Sequence, residues 1–296
     1  MPILILLEIM KGITMDKEIL INQFNDTQNR IKILDKQHKL NQHTILYKQG
    51  DLKTRITNNS SYVKQVVNSE NVIDAIINTP SKVKIGVLNF ASATHVGGGV
   101  SHSGSTTQEE ALCRVTSLYP SIKKHFKEFY QYNRDNINNG IYPNQLLYTE
   151  NCQLIKDTDF KPLANPIKFD MVTMAAPNKN HIPRQYFKQA DKELINKMIM
   201  ILSAFKKHHV DYLILGAFGC GAFHNDPKLV AEYWDKLLNS GYFNSSFKRV
   251  IHPIYTQKGD WNKPESTYNI FKDIINQKPY EMGSFMPKEH MVWHSN

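Results

Sequence analysis

The sequence predicts an α/β fold built on a largely parallel or mixed sheet, and three observations carry that expectation. Apolar, β-branched segments alternate along the chain with amphipathic stretches of helical period, the order that builds a sheet covered by helices. Residues 83–90 (VKIGVLNF) and 211–216 (DYLILG) are near-continuous apolar runs, as strands buried on both faces are. Three polar or glycine-bearing loops follow strands, after Phe90, Met174 and Leu215. In open α/β sheets ligands bind at such carboxyl ends, so the three loops predict one cleft.

Taken in order, residues 16–40 place Leu20, Phe24, Thr27, Ile31 and Leu34 at helical spacing, which predicts one buried stripe. TILYKQG reads as a short strand ended by Gly50, and SYVKQVVNSENVIDAIINTP as helical turns followed by a helix that stops before Pro80. Residues 1–80 are therefore expected to form an N-terminal helical extension packed on a core at 81–296. That core is expected to include a C-terminal helix and tail within one structural unit. After the strand at 83–90, a helix is predicted from Gln108 through Tyr119, with helical continuation over 123–139. LLYTENCQLIKD alternates as a strand or hairpin, and FKPLANPIKFD reads as a connecting loop. DMVTM is the next strand, 184–208 a long amphipathic helix, and DYLILG a strand opening a second glycine loop. Pro227 suits the first turn of a helix through Leu238. A strand at FKRVIHPIY and a helix at YNIFKDIINQ complete the pattern.

With 296 residues, 41% hydrophobic and 21% charged, and a mean hydropathy of −0.44, the composition is that of a water-soluble globular chain. No apolar run is long enough to span a bilayer, so no membrane partner is expected. The formal charge of +9 favours an anionic partner. The positive residues are scattered rather than blocked, which suits a nucleotide-like ligand better than a sequence-reading nucleic-acid domain. Cys113, Cys152 and Cys220 form no CxxC pair; the odd, sparse count fits a reducing cytoplasm and predicts no structural metal site. MPILILLEIM lacks a basic leader and a small-residue cleavage site, so a secretory signal is not expected. Met15 opens a more ordinary charged start (MDKEIL), so residues 1–14 read either as part of the protein or as an upstream extension.

Residues 84–119 hold the chemistry. Gly97, Gly98 and Gly99 occur in a Ser/Thr-rich loop, and Gln108, Glu109 and Glu110 open the helix that follows. Consecutive glycines pack no side chain and are useful where backbone must approach something closely. A second loop, Gly216-Ala217-Phe218-Gly219-Cys220-Gly221-Ala222-Phe223, precedes another helix. Such a loop presents backbone N–H groups and a positive dipole end, which suits a phosphate. The paired glutamates have a purely structural reading too. Thr107-x-x-Glu110 and Thr106-x-x-Glu109 both match a capping box, and Arg114 stands four residues past Glu110, where it could pair with it. Adjacent helical residues point about 100° apart, so one capping box cannot employ both carboxylates.

GGG, eight residues, then QEE resembles the signature of the poly(ADP-ribose) glycohydrolases, in the bacterial-type branch built on a macrodomain fold. LNFASA before the glycines, ALCRVTSLY after the glutamates, MAAPN at 174–178 and LGAFGCGAFHNDP at 215–227 follow in family order. The resemblance covers roughly residues 83–255. It departs from the family in the loop's His95, His102 and extra Ser/Thr. The resemblance implies a macrodomain-like mixed sheet flanked by helices, and cleavage of the ribose–ribose O-glycosidic bond of poly(ADP-ribose) to release ADP-ribose. It implies Glu110 as acid/base and Glu109 as the holder of the ribose hydroxyls, with Gln108 setting the loop and the start of the helix. Gly97, Gly98 and Gly99 would lie against ribose and pyrophosphate. Gly219, Cys220, Gly221 and Ala222 would cradle the diphosphate, Phe223 would pack on the ribose side, and Asn89 would bind at the distal ribose. No cofactor or metal is implied. The expected protein is a cytoplasmic monomer whose partner is the polymer or an ADP-ribosylated macromolecule.

Three other readings stay open at this level. One is a hydrolase of single ADP-ribose groups on protein or nucleic acid, using the same cleft. Another is a non-catalytic ADP-ribose reader, which has no need for both glutamates. The last is a structural α/β domain with two glycine turns and a capped helix.

Overall fold

The computed structural model of the protein describes residues 17–53, 62–239, 243–256 and 263–276. The expectations for residues 1–14 and for the tail beyond 277 lie outside the described residues. The remainder is the mixed α/β fold expected: a seven-stranded sheet in the order β1-β4-β5-β3-β6-β7-β2. The strands are β1 (His43–Lys48), β2 (Gln65–Asn68), β3 (Ile85–Phe90), β4 (Gln145–Lys156), β5 (Pro162–Met174), β6 (Tyr212–Ile214) and β7 (Arg249–Pro253). Strands β3, β5, β6, β7 and β2 run parallel; β4 is antiparallel to both β5 and β1.

Helices cover both faces and give two cores. One face carries α6 (Phe187–Lys207), α7 (Pro227–Asn239) and α8 (Thr267–Ile275), whose Phe205, Trp234 and Phe271 are fully buried in one apolar cluster. The other face carries α1 (Lys17–Lys36), α2 (Val72–Ile77), α3 (Gln108–Val115) and α4 (Leu118–Lys123), with Phe24, Ile76, Leu112 and Leu118 packed in a second cluster. A π-helical stretch, Phe126–Gln131, leads into a single turn, α5 (Tyr132–Asp135). Helix α1 buries Leu20, Phe24, Thr27 and Ile31 as its spacing predicts, while Leu34 is only half-buried. The fully buried Lys156 of β4 ties this helix down by an ion pair to Asp26 at 2.8 Å. It also donates to the Gln23 carbonyl.

Three local expectations are corrected. Residues 65–68, read as helical turns, form the edge strand β2 against β7. The stretch from Pro162, read as a loop, is the first half of β5, paired with β4 through an irregular register. The helix expected to run to Tyr119 stops at Val115. There Thr116 turns extended, bridges Leu154, and returns its hydroxyl to the Leu112 carbonyl at 2.8 Å.

Candidate active site

Strand β3 lies between β5 and β6, all three parallel, so the loops after Phe90, Met174 and Ile214 leave from one edge of the sheet. The loops are tied together there. Ala91 N–H donates to the Met174 carbonyl at 3.1 Å, and Lys179 N–H to the Phe223 carbonyl at 3.0 Å. The buried Asn225 donates to the carbonyls of Pro177 and Gly219, at 2.9 and 3.1 Å.

Helix α3 is set against β3 by Gln108. Strand β6 pairs with β3 only as far as Val87. Just beyond that point, the Gln108 side chain accepts from Phe90 N–H at 2.8 Å and donates to the Leu88 carbonyl at 2.7 Å. One amide thus continues the ladder and fixes the first turn of α3 at the strand's end.

Neither capping box forms. Thr107 occupies the N-cap position without a side-chain cap bond, and both glutamates are turned to the loop. Glu110, only 6% exposed, accepts from Gly99 N–H at 2.9 Å through Oε1 and from the Thr107 hydroxyl through Oε2. Glu109, 2% exposed, accepts from Ser92 N–H at 2.7 Å and from the Asn89 amide at 3.3 Å. Arg114 does not serve Glu110 as an ion-pair partner; its guanidinium donates to the Ser105 carbonyl at 2.6 Å.

The glycines explain themselves at this point. Gly98 has φ +61°, and a Cβ built on it would stand 2.4 Å from Glu110 Oε1 and 3.4 Å from Glu109 Oε2. Any side chain there would occupy the space onto which both carboxylates face. Gly97, also at positive φ, lies against the Tyr119 ring. In the second loop, Gly219 has φ +74° and abuts Ala176 and Asn225. Gly221 meets nothing within 4 Å, so packing does not explain it. The N–H groups of Gly219, Gly221, Ala222 and Phe223 take part in none of the backbone bonds among the described residues. That of Cys220 is spent on the Ala217 carbonyl. Four donors unspent on backbone stand just ahead of α7, the kind of group that anion sites use.

Burial pushes the Glu109 carboxyl up to about 8, with the charge of Glu110 adding to the shift and the Ser92 and Asn89 donors opposing it. A proton on Glu109 has a ready acceptor. Asn89 is fully buried and its Oδ1 has no partner, and turning the amide over would present that oxygen to Glu109. Because the folded-state value lies above the ordinary 4.5, the folded protein binds more protons between the two. The associated stability is therefore present below 4.5 and lost as pH rises through about 8. The interval sets a ceiling of ~5 kcal/mol. Thermal melts should show wild type losing stability from pH 5 to 8.5, with Glu109→Gln lacking that component; parallel pH curves would refute the buried-proton account.

Sequence reasoning brought Asn89, Gly98, Gly99, Gln108, Glu109 and Glu110 together correctly as neighbours. It missed the Ser92 N–H and the hydroxyl of Thr107, which the sequence pattern offers as a cap. It also missed Asn225, whose only signal was a polar residue at a helix start. Among the described residues, no three His, Cys, Asp or Glu side chains converge as a metal site, and no helix is long and apolar enough to cross a membrane.

Residues 18–157 match the family model of the microbial-type PARG catalytic domain. The fold is similar to that of the poly(ADP-ribose) glycohydrolase from Deinococcus radiodurans in complex with ADP-ribose. That likeness has a TM-score of 0.70 at 27% identity, over 78% of this chain and 93% of that one. It is also similar to the enzyme from Thermomonospora curvata bound to the inhibitor ADP-HPD, with a TM-score of 0.67 at 26% identity, over 78% and 84% of the two chains. A comparison with curated protein sequences finds no match.

Proposed function

We infer that this chain, a bacterial-type poly(ADP-ribose) glycohydrolase by family match and fold, cleaves the ribose–ribose O-glycosidic bond of poly(ADP-ribose) and releases ADP-ribose. The observation that supports the residue roles best is the orientation of Glu109 and Glu110. Both are buried and turned to the glycine loop rather than spent on capping α3.

Glu110 is the acid/base. It protonates the glycosidic oxygen of the leaving ribose as that C–O bond breaks and positive charge develops on the anomeric carbon of the other ribose, then takes the proton of the water that attacks this carbon. Glu109 receives the ribose hydroxyls, with Asn89 standing behind it toward the distal ribose. Gly97, Gly98 and Gly99 allow ribose and pyrophosphate to approach the backbone. The N–H groups from Gly219 to Phe223 hold the diphosphate, with Cys220 contributing shape and the Phe223 ring packing on the ribose side.

Thr107 positions the acid. Its hydroxyl bond to Oε2 and the Gly99 N–H bond to Oε1 together fix the plane of the Glu110 carboxyl. Thr107→Val should lower kcat by roughly tenfold, about the value of one charge-assisted hydrogen bond, while leaving KM and the melting temperature unchanged. Thr107→Ser should restore kcat, and a Val variant at full kcat would remove this role.

The chain is proposed to act as a cytoplasmic monomer and one structural unit, with residues 1–80 packed on the 81–296 core. Rates on labelled poly(ADP-ribose) and on mono-ADP-ribosylated protein test the substrate assignment. Shortening of the polymer with ADP-ribose as product is expected. Release only from the mono-modified protein would transfer the activity to the alternative substrate.

A further inference from the structure

We propose that the outer face of residues 119–134 binds the ADP-ribose unit adjoining the one being released, stacking its adenine on exposed aromatic rings. The proposal rests on the polymer-cleaving reading above. It begins from topology. Thr173 of β5 is paired with both Asn89 and Leu147, so the start of β4 lies at the same sheet edge as the catalytic loops. Lys48, the last residue of β1, pairs with Gln145 at that edge. The Gln145 side chain in turn holds the π-helical stretch and α5, donating to the Phe129 carbonyl and to Asn133 Oδ1, at 3.1 and 3.0 Å.

The same segment grips the loop that leads to the glycines. Asn133 donates to the Ala93 carbonyl at 2.9 Å, and Arg134 donates to the Thr94 carbonyl. Behind it, Phe129 and Tyr130 are fully buried and supply the packing. Phe126 and Tyr132 therefore are not needed for the core, yet each leaves 38% of its surface in solvent. Cations accompany the rings: Arg134 over Phe126 at 5.5 Å, Lys48 over Tyr132 at 5.0 Å, and Lys123 over Tyr119 at 5.8 Å. Tyr119 is the ring that abuts Gly97, so aromatic–cation pairs extend from the catalytic loop outward.

Lys124 and Lys127 are exposed in the same stretch, while its acids are engaged: Glu128 with His125 at 3.0 Å and Asp135 with Gln131 at 2.8 Å. Aromatic faces interleaved with positive charge are what a single-stranded nucleotide polymer requires, with rings for bases and cations for phosphates. Poly(ADP-ribose) offers an adenine and a pyrophosphate at each repeat, the two groups that such a surface can take.

The test measures binding of long poly(ADP-ribose) to the catalytically impaired Glu110→Gln protein, with and without Phe126→Ala/Tyr132→Ala. It is paired with free ADP-ribose binding and with polymer KM in the otherwise wild-type background. A second pair, Phe126→Leu/Tyr132→Leu, keeps apolar bulk in case the alanines disturb folding. The expected result is about tenfold weaker polymer binding and a similar rise in KM, with ADP-ribose affinity and kcat unchanged. Unaltered polymer affinity in both double variants would overturn the proposal. So would equal weakening toward free ADP-ribose. If the wild-type protein failed to cut polymer, the function would fall, while the binding comparison would still decide this surface.

Discussion

Glu110→Gln should lower polymer turnover by a factor on the order of 10³, within the range carried by general acid–base groups, while ADP-ribose affinity stays within a few-fold. The substitution keeps shape and hydrogen bonding but removes the proton. A glutamine oxygen can still accept the Gly99 N–H. Its amide nitrogen would then meet the Thr107 hydroxyl, which can rotate to accept as readily as it donates. The loop and the start of α3 are thus preserved, and the loss is chemical rather than structural. Kinetically, kcat and kcat/KM should fall together, the mark of an interaction realised in the transition state. A glutamine variant that retained wild-type kcat would remove Glu110 from the mechanism.

Gly98→Ala should be the most damaging small change in the loop. Two costs coincide at this residue. Its φ of +61° lies in the left-handed region, where an L side chain costs roughly 1–2 kcal/mol. The new methyl would also stand 2.4 Å from Glu110 Oε1 and 2.9 Å from its Cδ, so the Glu110 carboxyl must move. Displacements of about 1 Å in a catalytic group cost on the order of 10²-fold, and kcat/KM on polymer should fall by about that factor. The melting temperature should fall by several degrees, as ~1–2 kcal/mol implies. Undiminished kcat/KM would mean that the carboxylate is not held where the geometry has it.

The sequence was most informative where local rules and tertiary needs agree. The apolar runs of β3 and β6, the stripe of α1 and the Pro227 start of α7 were all readable from periodicity and punctuation. Pro162 and Pro166 made the first half of β5 look like a loop. Its residues project beyond the core and are largely exposed, so no burial pattern marks them. Strand β2 is four half-buried residues that exist through pairing with β7, a contact between positions nearly two hundred residues apart. Helix α3 ends early because Thr116 pairs with Leu154, again a distant partner. In the site, the GGG and QEE spacing pointed to residues that the fold brings side by side. It did not show what each carboxylate touches. The capping pattern at Thr107 predicted a backbone bond, and the hydroxyl goes instead to Glu110. A local motif cannot report which of two acceptors the folded loop will offer.

On this reading the two glutamates and the glycine loop form a working glycohydrolase rather than a binding cleft. The most direct measurement is ADP-ribose release from purified poly(ADP-ribose) by the wild-type protein, with ADP-ribose binding measured on the same preparation. Saturable binding together with progressive polymer shortening, and ADP-ribose as product, is the expected result. Saturable binding with an intact polymer after prolonged incubation would contradict it and leave a reader in place of an enzyme.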